Sequence, residues 1–123
     1  KRAIPLPVAG AYHSRLMKSA QDKLALALAA APIQSPRVPV ICNFEARPVS
    51  TPEEIRATLT SQVTGSVRWV DSMQHLIAAG HTTFIELGPD ATLAGLMGKI
   101  DKSVKVISIK DVASLDAAIA QLQ

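Results

Sequence analysis

The sequence has 123 residues, room for one domain of ordinary size. Hydrophobic residues make up 48% and charged residues 19%, a balance that can bury a core and argues against disorder. The formal charge of +3 is dispersed, with no basic run beyond Lys1-Arg2 and aromatics at only 3%, which disfavours nucleic acid and leaves an acidic protein partner open.

The core must be built from Ala, Val, Leu and Ile. Cys42 stands alone, so no intrachain disulfide is available. It lies in an apolar run and is expected to be a small buried hydrophobe in a reducing, cytoplasmic setting. No apolar stretch approaches the roughly 20 residues needed to cross a bilayer, so no membrane role is expected.

Ala3 to Ala9 reads as an extended segment, with Pro5 and Pro7 on one side as at an edge strand. Gly10-Ala11-Tyr12-His13-Ser14 then turns into a helix that Ser14 can cap. Leu16, Ala20, Leu24, Ala27, Leu28 and Ala31 follow helical spacing up to Pro32. Val38 to Phe44 predicts a strand of near-continuous apolar type, covered on both faces.

Thr51-Pro52-Glu53-Glu54 is a strong helix start: a Thr cap, Pro at the first helical position, and Glu54 placed to bond back. That helix runs toward Gly65. The next carries Trp69, Val70, Met73, Leu76 and Ile77 on one face and stops at Gly80. Thr82 to Leu87 predicts a strand, and Gly88-Pro89-Asp90 turns into a helix with Asp90 as its expected cap. Val104 to Ile109 predicts the last strand, and Val112, Leu115, Ile119 and Leu122 the stripe of a closing helix. Strands separated by helices imply an α/β fold with a parallel, helix-covered sheet.

Sites in such sheets gather where strands turn into helices. His13 stands at one such turn, where the positive end of the helix dipole opposes an imidazolium, and a neutral ring can accept a proton. A histidine there is more often a capping or packing residue. His75 and His81 read as solvated, and neither has a partner at metal-ligand spacing. No G-x-S-x-G nucleophile elbow occurs. Taken alone, Gln62 is a surface amide.

Four stretches in register carry more. Ile4-Pro5-Leu6-Pro7-Val8 with Gly10-Ala11-Tyr12-His13-Ser14 and Leu16-Met17-Lys18 resembles the histidine segment of bacterial malonyl-CoA:acyl carrier protein transacylases. Val38-Pro39-Val40-Ile41 with Asn43 is similar to that family's next strand. Ile55-Arg56, Leu59, Gln62 and Val67-Arg68-Trp69 resemble its Q…V-x-W stretch. Phe84-Ile85-Glu86-Leu87-Gly88-Pro89 with Leu93-Ala94-Gly95-Leu96 resembles its E-x-G-P-G-x-x-L-x-G-L signature, except that Asp90 stands where the family usually has Gly.

The resemblance implies a C-terminal part of the acyltransferase fold. Residues 1–8 would form the exit from a ferredoxin-like subdomain, and residues 9–123 part of an incomplete, hydrolase-like αβα core. It implies that His13 is the catalytic base and that the Gln62 backbone carbonyl orients it. Tyr12 would sit against the substrate, its bulk favouring malonyl over branched acyl groups.

The implied reaction is ping-pong malonyl transfer in fatty acid biosynthesis, from malonyl-CoA to the phosphopantetheine thiol of acyl carrier protein. No cofactor or metal is implied, and the complete enzyme would be a monomer. The partnering serine, an arginine and an oxyanion glutamine would lie in a missing upstream part, so this chain alone is expected to be inactive. An acyltransferase domain of a polyketide synthase shares these features. A non-catalytic module that binds acyl carrier protein is the reading of a different class.

Overall fold

The computed structural model describes residues 8–122. The extended segment expected over Ala3 to Ala9, and the exit strand expected over 1–8, fall almost wholly on residues 1–7, outside those described. The chain divides into two compact units, Lys1–Ser72 and Met73–Gln123.

In the first unit a 3-10 helix, Arg15–Met17, leads directly into α1, Lys18–Ala30. Ser14 holds the entry: its hydroxyl accepts from Leu16 N–H (3.3 Å) and donates to the Ala11 carbonyl (2.7 Å). Ala31, before Pro32, leaves the helical region (ψ 138°), as the residue preceding a proline prefers. Helix α2, Pro52–Ser61, begins with the expected capping box. The Thr51 hydroxyl accepts from Glu54 N–H, the Glu54 carboxylate accepts from Thr51 N–H, and Pro52 stands at the first helical position.

Helices α1 and α2 pack together and run in opposite directions. Gln21, near the start of α1, donates to the Thr60 carbonyl at the end of α2 (3.1 Å). At the other end, Arg56 donates to the carbonyls of Leu28 and Ala31, each at 3.0 Å. A guanidinium thus closes the C-terminus of α1, where its charge opposes the partial negative charge of the helix end. This arrangement carries the chain just before α1 to the last turn of α2.

The strand expected over Val38 to Phe44 shrinks to β1, Val40–Ile41, and it pairs antiparallel with β2, Pro48–Val49. Pro39 has no N–H to contribute to a ladder. After Ile41 the chain folds back within a few residues, with Ala46 at φ +56° and hydrogen bonds from Cys42 N–H to the Arg47 carbonyl and from Ala46 N–H to the Cys42 carbonyl, both 3.0 Å. Cys42 is buried, as expected of a small hydrophobe.

Helix α3, Trp69–Ala78, stops as its glycine predicts. Gly80 takes φ +93°, and Gly80 and His81 N–H groups donate back to the Ile77 and Leu76 carbonyls. The second unit then forms a strand–helix–strand motif: β3, Thr83–Leu87; α4, Thr92–Ile100; and β4, Lys105–Ile109; followed by α5, Val112–Leu122. β3 and β4 pair in parallel, from Thr83 opposite Lys105 to Leu87 opposite Ile109, as the intervening helix requires. Both α4 and α5 pack on β4. Met97, Ile107 and Ala118, one from each of these elements, are buried.

The cap of α4 differs from expectation. Asp90 is exposed, and the N-cap position is held by Ala91, which has no capping side chain. The cap comes from within β3: the buried Glu86 carboxylate accepts from Leu93 N–H (2.8 Å), Ala94 N–H (3.1 Å) and the Ser108 hydroxyl (2.9 Å).

Candidate functional site

The first and last turns of a helix leave backbone groups without partners inside it. At the end of α2 three carbonyls are satisfied in three ways. The Thr60 carbonyl accepts from Val63 N–H and from the Gln21 side chain, and the Ser61 carbonyl accepts from Gly65 N–H. The Gln62 carbonyl accepts from His13 Nδ1 at 2.7 Å. This contact joins the histidine and the glutamine singled out in the sequence, across 49 positions of chain.

A carbonyl oxygen only accepts, so Nδ1 carries the proton. In the neutral ring Nε2 then holds a lone pair, the state of a group able to take a proton. His13 itself is exposed and sits at φ +58°, a left-handed backbone that histidine tolerates better than most side chains but that still costs about 1–3 kcal/mol. The strain is held in place by the Ser14 bonds on one side and the Gln62 bond on the other.

The electrostatic setting differs from the one read in sequence. The Nδ1 edge of the ring faces the C-terminal end of α2, not only the start of its own helix. That end carries roughly half a negative elementary charge. A ring that takes a proton at Nε2 therefore becomes positive beside the negative pole of a helix. The carbonyl both fixes the tautomer and partly offsets the charge that proton transfer creates.

Tyr12 precedes the histidine and is exposed, its ring folded back over Gly10. A Cβ at Gly10 would stand 2.9 Å from the ring, so glycine there is what lets the tyrosine lie in this position. His75 and His81 are exposed, and among the described residues no group of three potential metal ligands occurs.

One neighbour was not identified from residue pattern alone. Asn43 donates from Nδ2 to Gln62 Oε1 at 3.3 Å. Its place in the motif resemblance was the only signal for it. A cavity of about 320 Å³ lies alongside, lined by Asn43, Gln62, Cys42, Ile55 and Leu59 among others.

No family model matches the chain. Across all 123 of its residues it is 42% identical to the malonyl CoA-acyl carrier protein transacylase of Bacillus subtilis, and it spans 39% of that protein's length. Its fold matches the acyl-carrier-protein S-malonyltransferase of Burkholderia pseudomallei with a TM-score of 0.90 at 43% identity, over 98% of this chain and 39% of the other. It also matches a malonyl-transacylase solved with a type II polyketide synthase acyl-carrier protein, with a TM-score of 0.92 at 34% identity, again over 98% and 39%. The chain therefore spans about two-fifths of the relatives it matches. Over the length it spans, it belongs to the malonyl CoA-acyl carrier protein transacylase family.

Proposed function

We propose that this chain supplies the general base for transfer of a malonyl group from malonyl-CoA to the phosphopantetheine thiol of acyl carrier protein. The observation that carries the proposal is the 2.7 Å bond from His13 Nδ1 to the Gln62 carbonyl. No G-x-S-x-G occurs in the 123 residues, so the nucleophilic serine comes from polypeptide outside them. Large apolar side chains standing in solvent, such as Leu16, Leu26 and Leu87, fit a chain that works as part of a larger body.

In the first half-reaction His13 Nε2 takes the serine proton as the serine oxygen attacks the malonyl thioester carbonyl. The thioester C–S bond then breaks, and the leaving CoA sulfur recovers that proton. In the second half the phosphopantetheine thiol gives its proton to Nε2 and attacks the malonyl–serine ester. The serine oxygen leaves with the proton, and the enzyme is restored. No cofactor or metal enters either half. Tyr12, beside the histidine, limits the width of the acyl group, a discrimination worth about 1–3 kcal/mol per added methyl.

Replacing His13 by Ala in the complete polypeptide is expected to lower malonyl transfer roughly 10²–10⁴-fold with little change in melting temperature. Transfer at the full rate would remove His13 from the mechanism. The similarity to a transacylase solved with a polyketide carrier supports a second reading, in which the receiving carrier serves polyketide rather than fatty acid synthesis. Comparing kcat/KM for a carrier of each kind separates the two.

A further inference from the structure

We propose that Asn43 is a positioning residue for malonyl transfer: its side chain holds that of Gln62 and so keeps the Gln62 carbonyl aimed at His13. The proposal rests on the reading of His13 as the base.

Gln62 lies one residue beyond the end of α2. Its N–H still donates into the helix, to the Thr58 carbonyl at 3.0 Å, but its carbonyl has no helical partner. Within the helix only a long bond constrains where that oxygen points: the Val63 N–H of the same peptide unit donates to the Thr60 carbonyl at 3.3 Å. The loop between β1 and β2 constrains it from outside. Asn43 Nδ2 donates to Gln62 Oε1 at 3.3 Å. The Asn43 carbonyl accepts from Arg68 N–H at 2.8 Å, and the Glu45 carbonyl accepts from Arg68 Nη1 at 3.4 Å. Between these, the Phe44 ring lies against Gly65 so closely that a Cβ there would overlap it.

Three consecutive residues, Asn43, Phe44 and Glu45, therefore grip the segment from Gln62 to Arg68 at both ends and in the middle. The gripping loop is itself held by its Cys42–Arg47 and Ala46–Cys42 backbone bonds. Beside the Asn43–Gln62 pair the 320 Å³ cavity offers space into which an unrestrained Gln62 side chain can swing, which frees the turn that presents its carbonyl. A base displaced by about 1 Å can lose up to 10²-fold in rate.

The role of Gln62 in orienting His13 belongs to its backbone, so Gln62→Ala keeps the carbonyl and removes only the handle that Asn43 holds. In the complete polypeptide, Asn43→Ala and Gln62→Ala are each expected to lower kcat about tenfold and to leave KM for malonyl-CoA within roughly twofold. The double variant is expected to fall no further than either single one, because both remove the same contact. Hydrogen exchange of the His13 Nδ1 proton, followed by NMR, is expected to accelerate in all three.

Asn43→Leu keeps about the size and can neither donate to nor accept from Gln62. It should match Asn43→Ala, and it decides the matter if the alanine variant unfolds. Wild-type kcat with unchanged ring exchange in Gln62→Ala, or losses that multiply in the double variant, would overturn the proposal. If His13→Ala retains full transfer, the reading of the base has failed instead, and ring exchange alone judges Asn43.

Discussion

Of the helix ends closed by side chains from elsewhere in the sequence, the start of α4 and the end of α2 differ most in what remains afterwards. At the start of α4 the Glu86 carboxylate accepts three hydrogen bonds, is buried, and has both oxygens engaged. At the end of α2 the His13 ring spends one nitrogen on the Gln62 carbonyl and keeps the other. The first is a structural cap with both oxygens bonded inside the fold; the second is a cap with a basic atom left over. Capping and catalysis are thus not competing accounts of His13. The bond that closes α2 is the same bond that sets the tautomer.

The comparison breaks first at activity. His13→Ala should abolish most transfer and little stability, whereas Glu86→Ala should do the reverse. Burial pushes the Glu86 carboxyl up, but the bonds from Leu93 N–H, the Ser108 hydroxyl and Ala94 N–H outweigh it, so the group sits below its ordinary value and is ionised at neutral pH. Removing it leaves two N–H groups of α4 without acceptors. Amide exchange at Leu93 and Ala94 should accelerate strongly, and unchanged exchange there would contradict the assignment.

A milder perturbation sharpens the contrast between long-range and local caps. Thr51→Ala removes the local cap of α2 and should cost about 1 kcal/mol in a denaturant melt, a smaller loss than Glu86→Ala. The smallest effect is a pH dependence at the same helix start. Hydrogen bonds from Ser50 N–H, the Arg47 guanidinium and Thr51 N–H hold the Glu54 carboxyl down to about 2, from an ordinary 4.5. Its contribution is present in full above pH 4.5 and is lost as the pH falls toward 2. Glu54→Gln should flatten stability against pH across that window, and an unchanged slope would show that other carboxylates govern it.

The same contrast explains what was legible in the sequence. The capping box at Thr51 to Glu54 is local, its partners three residues apart, and it forms as read. The Gly80 stop is equally local. Glu86 reaches α4 from seven and eight residues upstream, through a turn whose geometry no spacing rule supplies, so Asp90, next to the helix, was the natural but incorrect choice. Val38 to Phe44 looked like one covered strand because its apolar pattern is continuous. The Pro39 gap in donors and the left-handed turn at Ala46 limit it to two residues and create β2, which had no signal of its own. His13 and Gln62 lie 49 residues apart, and periodicity could not have paired them. Motif resemblance did, and the antiparallel packing of α1 on α2 supplies the physical reason.

The most direct test is the protonation pattern of the His13 ring in the complete polypeptide, read from its two nitrogen resonances by NMR at a pH where the ring is neutral. The account predicts a proton on Nδ1, slow to exchange, and a bare Nε2. A ring carrying its proton on Nε2, with Nδ1 free, would contradict it.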